Sequence, residues 1–545
     1  MTLTMAETEV EIKGTSLEEP ILKLNRDNIT HKDMDLTKGI EVESQIAKLF
    51  AGATVLITGG TGFLGKLLIE KLLRSCPELK KIYLLARSKR NKDTQKRIQE
   101  QFADVLYDKM KKVCPNFLDK VKIVEGDMGQ LQLAINEEDR KHIMNEVDII
   151  FHVAATVRFD EPLKTAVEIN VRGTREILLL ARTCIKLKAL VHVSTAYSNC
   201  PNTEIFEKFY ETPLSGEKLI DLVENLDQKI IDSITPGLIG DFPNTYAYTK
   251  SAAEDIVQKY SKGLPVAVFR PSIVIGTAKE PVAGWIDNVY GPTGVVVGAA
   301  VGLLHTLNCR PQAIADLVPG DMVVNACIAT AWKASREFPG NHEAAPPPDL
   351  TPPIYNFVSS EQRPLTWEKF MKYNETYGLE VPTVNAVWYY VLFLTQSPLL
   401  YSIQFFFLHW IPAYIIDGIS VLIGKKPMLR KAYSKIEKFS EVLTYFALRE
   451  WKFHNDNIKD LYKELNDADK ELFNFDISSI CWSEFFSNYV RGIRLYLLKD
   501  PTETVPDGIK KHYKLKALHY FCVAVLVTLM LKLFYSLLVF GISCF

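Results

Sequence analysis

Tyr246 and Lys250 stand four residues apart in Asn244-Thr-Tyr-Ala-Tyr-Thr-Lys250, a spacing that puts both side chains on one face of a helix. A carbonyl that has taken up hydride is an alkoxide and needs a proton. A phenol of ordinary pKa, about 10, is too weak an acid to supply it unaided. An ammonium one turn away favours the phenolate and lowers that pKa, and it can also hold ribose hydroxyls. Tyr248 is the competing phenol, but the residue four positions on from it is Ala252. A third donor is expected at the end of the strand that runs into His192-Val-Ser-Thr-Ala-Tyr, where Ser194 and Thr195 both carry hydroxyls. Thr195, one position further out, is preferred for a substrate oxygen; the plainer use of either hydroxyl is to satisfy the strand's last backbone groups.

Such chemistry needs a hydride donor, and the chain offers a place for one. Thr58-Gly59-Gly60-Thr61-Gly62-Phe63-Leu64-Gly65 follows an apolar β-branched run and opens a helix-like one. Its glycines at 59, 62 and 65 permit a tight turn, close approach to a pyrophosphate and helix-on-strand packing, with the helix N-terminus facing the phosphate. Glycines in any tight strand-to-helix turn would look similar, so the setting carries the weight. The next strand-like run ends at Arg87, followed by Ser88, Lys89 and Arg90. An acidic residue there would take the ribose 2′-hydroxyl of NAD, whereas cations suit a 2′-phosphate. NADPH is therefore expected over NADH, against the alternative of a solvated basic loop. Asp127 follows a strand and could accept from the adenine amino group. Ala154 and Ala155 are small enough to let the nicotinamide half pass.

These residues need a scaffold. Strand-like runs at 54–58, 81–86, 121–124, 148–153, 189–194 and 266–270 alternate with helix-like segments at 64–73, 92–112, 137–146, 163–186 and 245–260. That repeat implies an α/β fold: a Rossmann-type, doubly wound parallel sheet covered on both faces. With 545 residues, further units are expected. The layout reads as a flexible leader at 1–43, a nucleotide-binding reductase domain with its substrate-binding portion at 44–343, and a linker at 344–386. An apolar segment at 387–424, a helical domain at 425–505 and an anchor at 517–541 follow. Lys plus Arg number 64 against 65 Asp plus Glu, which leaves no global field for nucleic acid. Nine scattered cysteines without a C-x-x-C pair argue against a disulfide framework or a structural zinc site, and no metal is expected.

The glycine loop, Tyr246 with Lys250, and Arg270-Pro-Ser-Ile-Val-Ile-Gly276 together resemble the extended short-chain dehydrogenase/reductases. More narrowly, the chain resembles the fatty acyl-CoA reductases. That likeness is carried by 152–174, 191–199, 284–294 (GWIDNVYGPTG) and 316–324 (DLVPGDMVV), and by 475–499, which is similar to the family's helical domain. The resemblance adds Pro271 to the cofactor-binding set. It implies reduction of a long-chain acyl-CoA thioester to a primary alcohol through bound aldehyde, with two NADPH. Hydride attack would build an oxyanion for Thr195 and Tyr246 to stabilise, and no acyl-enzyme is needed, so Cys200 is not a nucleophile. One departure stands out: the family has a Leu-Gly-Leu element shortly after the Gly-Asp pair, where this chain has Gly129-Gln-Leu-Gln-Leu. The rivals are a membrane-bound extended dehydrogenase acting on a sterol or other lipid carbonyl, a reduction that stops at aldehyde, and a lipid-binding scaffold that keeps the fold without catalysis.

The stretch 517–545 carries one charge, Lys532. The runs on either side are too short to span roughly 30 Å at about 1.5 Å per residue. Together they suffice, since a central Lys costs only about 2.5–3.5 kcal/mol on insertion scales. A single-pass C-terminal anchor follows as an expectation, with an in-plane or re-entrant segment as the second reading, and Lys510, Lys511, Lys514 and Lys516 place the enzyme on the cytosolic side of the endoplasmic reticulum or peroxisome. Pro398, Pro412, His409 and Gln396 interrupt 387–422, so a surface-embedded helical pair or an acyl-chain wall is expected there before a plain span, against the alternative of ordinary structural core. A lipid membrane and an acyl-CoA are thus the expected partners, and a homo-oligomer is left open.

Overall fold

The computed structural model describes residues 43–87, 94–339 and 350–543. Ser88, Lys89, Arg90 and the leader lie outside them. β1 (Thr54–Thr58), β2 (Lys81–Ala86), β3 (Val121–Glu125), β4 (Ile149–His152), β5 (Ala189–Val193), β6 (Val266–Pro271) and β7 (Ile354–Phe357) form one sheet in the order β7-β6-β5-β4-β1-β2-β3. All six neighbouring pairs are parallel. The order reverses between β1 and β4, which opens a crevice at the carboxyl ends of those strands.

Side chains alternate across the sheet: Val55 and Ile57 enter one hydrophobic cluster and Leu56 the other. Both faces are therefore covered, and β1, β5 and β6 are buried along their whole length. The alternation read from the sequence accounts for six of these strands. β7 adds a seventh, a four-residue run after the proline-rich segment.

Helices α1 (Gln45–Phe50) and α2 (Phe63–Ser75) flank β1. The helix expected at 92–112 is broken into α3 (Thr94–Phe102), a 3₁₀ turn at Val105–Tyr107 and a short helix at Asp108–Val113. Asp104 causes the break: its carboxylate accepts from Leu106 N at 2.9 Å and from the Trp285 indole at 3.0 Å. Next, α4 (163–183) is continuous, with a π-helical stretch at Val167–Arg172. Asn244 caps α5 (Thr245–Tyr260) by accepting from Ala247 N at 2.9 Å. The aspartates of DLVPGDMVV are structural. Asp316 accepts from Ser359 N and Ser360 N, and Asp321, in α6 (Gly320–Glu337), from Ala278 N, Lys279 N and Glu280 N.

The longer C-terminal helices are α7 (Trp367–Glu380), α8 (Pro398–Leu422), α9 (Leu429–Leu448), α10 (Trp482–Gly492) and α11 (Val505–Ser543). They pack onto the sheet-bearing half, and Val42–Phe545 is one unit. Asp469 accepts from Ser44 Oγ at 2.6 Å and Ile46 N at 3.0 Å. The α10 backbone comes so near Gly284 that a Cβ on Gly492 would sit 1.7 Å from the Gly284 carbonyl. In length and composition, α8 (mean hydropathy 1.6) and the stretch Thr502–Leu537 (2.0) are apolar enough to cross a membrane.

Candidate active site

A cavity of about 1020 Å³ occupies the crevice and runs from the glycine loop past Tyr246. Gly59 has φ +74°, and a Cβ there would meet Ala154 N at 2.7 Å; at Gly65 it would meet the Gly59 carbonyl at 2.2 Å. Only glycine fits either place. No side chain caps α2 at Gly62, so the N–H groups of its first turn are available to a phosphate. Thr61, Gly62, Phe63, Leu64 and Gly65 line the cavity with Gly59. Thr58 and Gly60 stand behind the loop. The Thr58 hydroxyl pairs with His152 Nδ1 at 2.8 Å and accepts from Ala154 N at 3.1 Å, and Gly60 is buried beside Leu84 and Ile69.

Arg87 is exposed at the cavity mouth, and a second cation that the sequence reading did not single out, Arg97 on α3, joins it there by donating to the Arg87 carbonyl at 2.8 Å. Asp127 and Ala154 also line the cleft, Asp127 with Oδ1 accepting from Gly129 N at 3.0 Å. A dinucleotide fits these residues: a glycine cradle and an open helix N-terminus, with two guanidinium groups at the cavity mouth.

Tyr246 and Lys250 sit on α5, where it faces the end of β5. Burial pushes the Tyr246 phenol up to about 12, opposed by the neighbouring Thr195 hydroxyl, which itself accepts from Tyr197 N at 3.3 Å and donates to the Pro271 carbonyl at 3.5 Å. Lys250 Nζ donates to the Val193 carbonyl at 2.7 Å. Burial draws its ammonium down to about 8 against the Glu254 carboxylate, which holds it up. His152 and His192, with rings 5.2 Å apart, are driven neutral by burial, His152 to about 3. Phe159 stacks on Tyr246 at 5.6 Å and fixes the ring. Pro271 completes the wall.

Ser194 has another task. Its hydroxyl donates to Glu254 Oε1 at 2.5 Å. Glu254, one turn beyond Lys250, takes a bidentate pair from Arg270 (Nε 2.9 Å, Nη2 2.6 Å), and both side chains are fully enclosed. Arg270 also donates to the carbonyls of Phe206 and Lys208. This buried knot braces α5 against β6. Its local signal was the i, i+4 spacing of Lys250 and Glu254. Cys200 is buried, its thiol pushed up to about 12 by burial, and it is absent from the cavity wall.

Beyond Tyr246 the cavity turns apolar. Val295, Leu307, Phe370, Leu394, Leu443 and Phe446 line this branch, drawn from α7, α9, two short strands and the helix Pro292–Ala300. Thr195 and Tyr246 thus line the same cavity as the glycine loop and these apolar side chains.

Two family matches agree with this division of labour. Residues 57–327 and 408–500 each match a family described as Male sterility protein. The chain is 43% identical over 503 residues to "Fatty acyl-CoA reductase wat" of Drosophila melanogaster, covering 92% of this chain and 95% of that one. The chain belongs to the fatty acyl-CoA reductases. Human "Fatty acyl-CoA reductase 2" is 38% identical over 484 residues, 88% of this chain and 91% of its own. The fold of the reductase is shared with the reductase domain of a nonribosomal peptide synthetase from Mycobacterium tuberculosis (TM-score 0.53, 20% identity, 86% of this chain and 98% of that one). A myxalamid-pathway terminal R domain is similar (TM-score 0.52, 21% identity, 82% and 91%). The reductase is accordingly an oxidoreductase with a nicotinamide-binding domain.

Proposed function

We propose that this reductase converts long-chain fatty acyl-CoA to the primary alcohol with NADPH, holding the intermediate aldehyde in the same cavity. The observation that carries the reading is the Thr195–Tyr246 hydroxyl pair, placed where the glycine-loop cleft meets the apolar branch. The nicotinamide, when bound, supplies hydride to the carbonyl carbon. The rest falls to side chains. Thr195 and Tyr246 donate to the oxygen as it becomes an oxyanion. Collapse of that oxyanion expels the coenzyme A thiolate, which leaves the aldehyde. When the aldehyde is reduced in turn, Tyr246 gives its proton to the alkoxide, and Lys250, anchored on Val193, offsets the phenolate left behind. The apolar branch excludes water from the acyl chain and retains the aldehyde between the two reductions.

Arg87 and Arg97 at the rim support NADPH over NADH through the 2′-phosphate. The 39-residue α11 supports a C-terminal anchor, and Lys510, Lys514 and Lys516 at its root support a cytosolic enzyme face. The test is direct. Full-length protein in membranes is given a ladder of acyl-CoAs with each nicotinamide, and products are resolved by gas chromatography. Alcohol with two NADPH consumed per acyl-CoA is expected. Free aldehyde as the end product, or turnover of a sterol and not of acyl-CoA, would replace this reading.

A further inference from the structure

α8 departs from the plain pattern of a membrane span. Phe405, His409, Ala413 and Asp417 form one buried stripe at every fourth residue, while Leu400, Ile403, Phe407, Ile415, Ile419 and Leu422 are about half exposed or more. The stripe is bolted down by polar contacts. Gln404 Oε1 accepts from Thr306 Oγ1 at 2.7 Å, and His409 Nε2 accepts from His305 N at 3.0 Å. Asp417 accepts from the N–H groups of Met428, Leu429 and Arg430, which begin α9.

The path of the chain decides how this apolar face meets lipid. Cys309 N donates to Thr395 O just before α8, and Arg310 N donates to Ala447 O at the end of α9. The segment therefore leaves the enzyme and returns to it at adjacent residues. A crossing α8 would need α9 to cross back. Yet α9 carries Arg430, Lys431, Lys435, Glu437, Lys438 and Glu441, a load far too costly for hydrocarbon. Nor can α8 sink end-on by itself. α9 lies along it, with Tyr433 against His409 at 4.9 Å, so its charges would be carried down as well.

A second apolar element lies alongside. α11 turns apolar at Ala517, and there Trp388 Nε1 donates to His519 Nδ1 at 3.2 Å while Tyr389 packs on His519 and Tyr520. Aromatic residues of this kind mark the headgroup level. Two residues on, the Val391 carbonyl bonds His305, the residue whose N–H holds His409. The midpoint of α8 is thereby tied to the level at which α11 enters the membrane. Exposed Lys425 and Lys426 stand at the turn after α8 and Lys431 in the first turn of α9, where anionic headgroups would meet them.

We infer that α8 is a second membrane contact, lying in the plane of an anionic bilayer surface with its exposed face at the acyl-chain boundary. The inference rests on the anchoring of α11 and adds to it. Strand Thr306–Asn308 then separates lipid from the apolar branch of the cavity, since Thr306 bonds α8 while Leu307 lines that branch. An acyl chain partitioned in the membrane is thus one strand away from the site.

The experiment uses the full chain in vesicles of phosphatidylcholine and phosphatidylserine. Single reporter cysteines replace Leu400, Phe407, Ile415 and Leu422 in a background where Cys481, Cys522 and Cys544 are serine. Each carries an environment-sensitive fluorophore and is quenched by lipids brominated at different acyl depths. Equal, shallow depth for all four is the expected result. A helix of 25 residues is about 37 Å long, so depths graded from 400 to 422 would overturn the in-plane placement. Absence of quenching at all four would overturn membrane contact by α8. A reporter at Leu529 tests α11 separately: deep quenching there is expected, and its absence would remove the anchoring on which the inference stands.

Discussion

The Lys250 ammonium donates to the main-chain carbonyl of Val193 at 2.7 Å, one helical turn after Tyr246. This contact holds the cation against the end of β5, next to the strand exit from which Thr195 reaches the Tyr246 phenol. In the mechanism we propose, Tyr246 as proton donor has a neutral hydroxyl beside it and a buried charge one turn away. Tyr246→Phe removes the donated proton and leaves Thr195, Lys250 and the Phe159 stack in place. Alcohol formation should fall by about 10²–10⁴-fold, the usual worth of a positioned acid. Thermal stability should change little, because the lost hydroxyl faces the cavity. Stopped-assay kcat together with a melting curve checks both halves.

Glu254 is predicted to set the alkaline limit of activity through Lys250. The groups that face Lys250 are Tyr246 and Glu254 on its own helix, His152 on β4 and His192 on β5; both histidines are held neutral by burial. Only Glu254 supports the ammonium, whose pKa burial has lowered to about 8. Activity should therefore decline as pH rises through about 8 and the charge is lost. In Glu254→Gln the limb should move down by about one pH unit, as expected on removing a close opposite charge. Stability has the opposite sense. A lysine whose folded pKa lies below its unfolded one binds fewer protons when folded between those values, so its penalty is relieved as pH rises through that window. The same variant strands Arg270 without its partner, at a cost of about 3–5 kcal/mol, so its Tm should fall. The pH–rate profile separates this electrostatic role from mere loss of stability. An alkaline limb that stays in place would assign Glu254 to bracing alone.

Much of the site was legible because its signals are local. Tyr246 and Lys250 are one turn apart, and the glycine loop is eight consecutive residues between a strand and a helix. What was not legible is long-range. Phe446 and Leu443 reach the cavity from nearly 200 residues beyond Tyr246, and nothing in an amphipathic helix announces which cavity it will line. Asp104 breaks the helix expected at 92–112 partly through Trp285, a contact 181 residues away. Thr58 belongs to the motif, but its hydroxyl turned inward to His152, a choice fixed by the pairing of β1 with β4. Arg97 needed the fold to bring α3 beside Arg87.

Gln132 carries a backbone cost that one substitution can relieve. It is exposed and has φ +52°, with Leu133 and Ala134 also positive at 60° and 49°. By resemblance, the family's Leu-Gly-Leu element falls on Leu131-Gln132-Leu133, with Gln132 in the middle. A left-handed L-residue costs about 1–2 kcal/mol, of which a glycine returns part through its freer unfolded chain. The main-chain N–H that donates to Glu176 at 3.0 Å is kept by any residue. Gln132→Gly should therefore stabilise the enzyme by about 1 kcal/mol, read as a higher melting midpoint in micelles with kcat unchanged. A lower midpoint would mean that the side chain contributes more than its exposure suggests.

Arg87 and Arg97 make the cofactor preference testable at the cavity mouth. Arg97 is half-buried and fixed to the Arg87 carbonyl, whereas the Arg87 guanidinium is exposed. A charge-assisted contact to phosphate is worth about 1.5–3 kcal/mol, or roughly 10- to 150-fold in affinity at 1.4 kcal/mol per decade. Arg87→Ala should raise the KM for NADPH by about tenfold, at the lower end because the contact is solvated. It should leave the KM for NADH and the KM for acyl-CoA where they were. Arg87→Asp should go further, since a carboxylate repels the 2′-phosphate and can accept the ribose 2′-hydroxyl. The expected sign is then a crossover, with NADH preferred. Equal losses for both cofactors in both variants would show that Arg87 serves the loop around it and that the phosphate is read elsewhere on the rim.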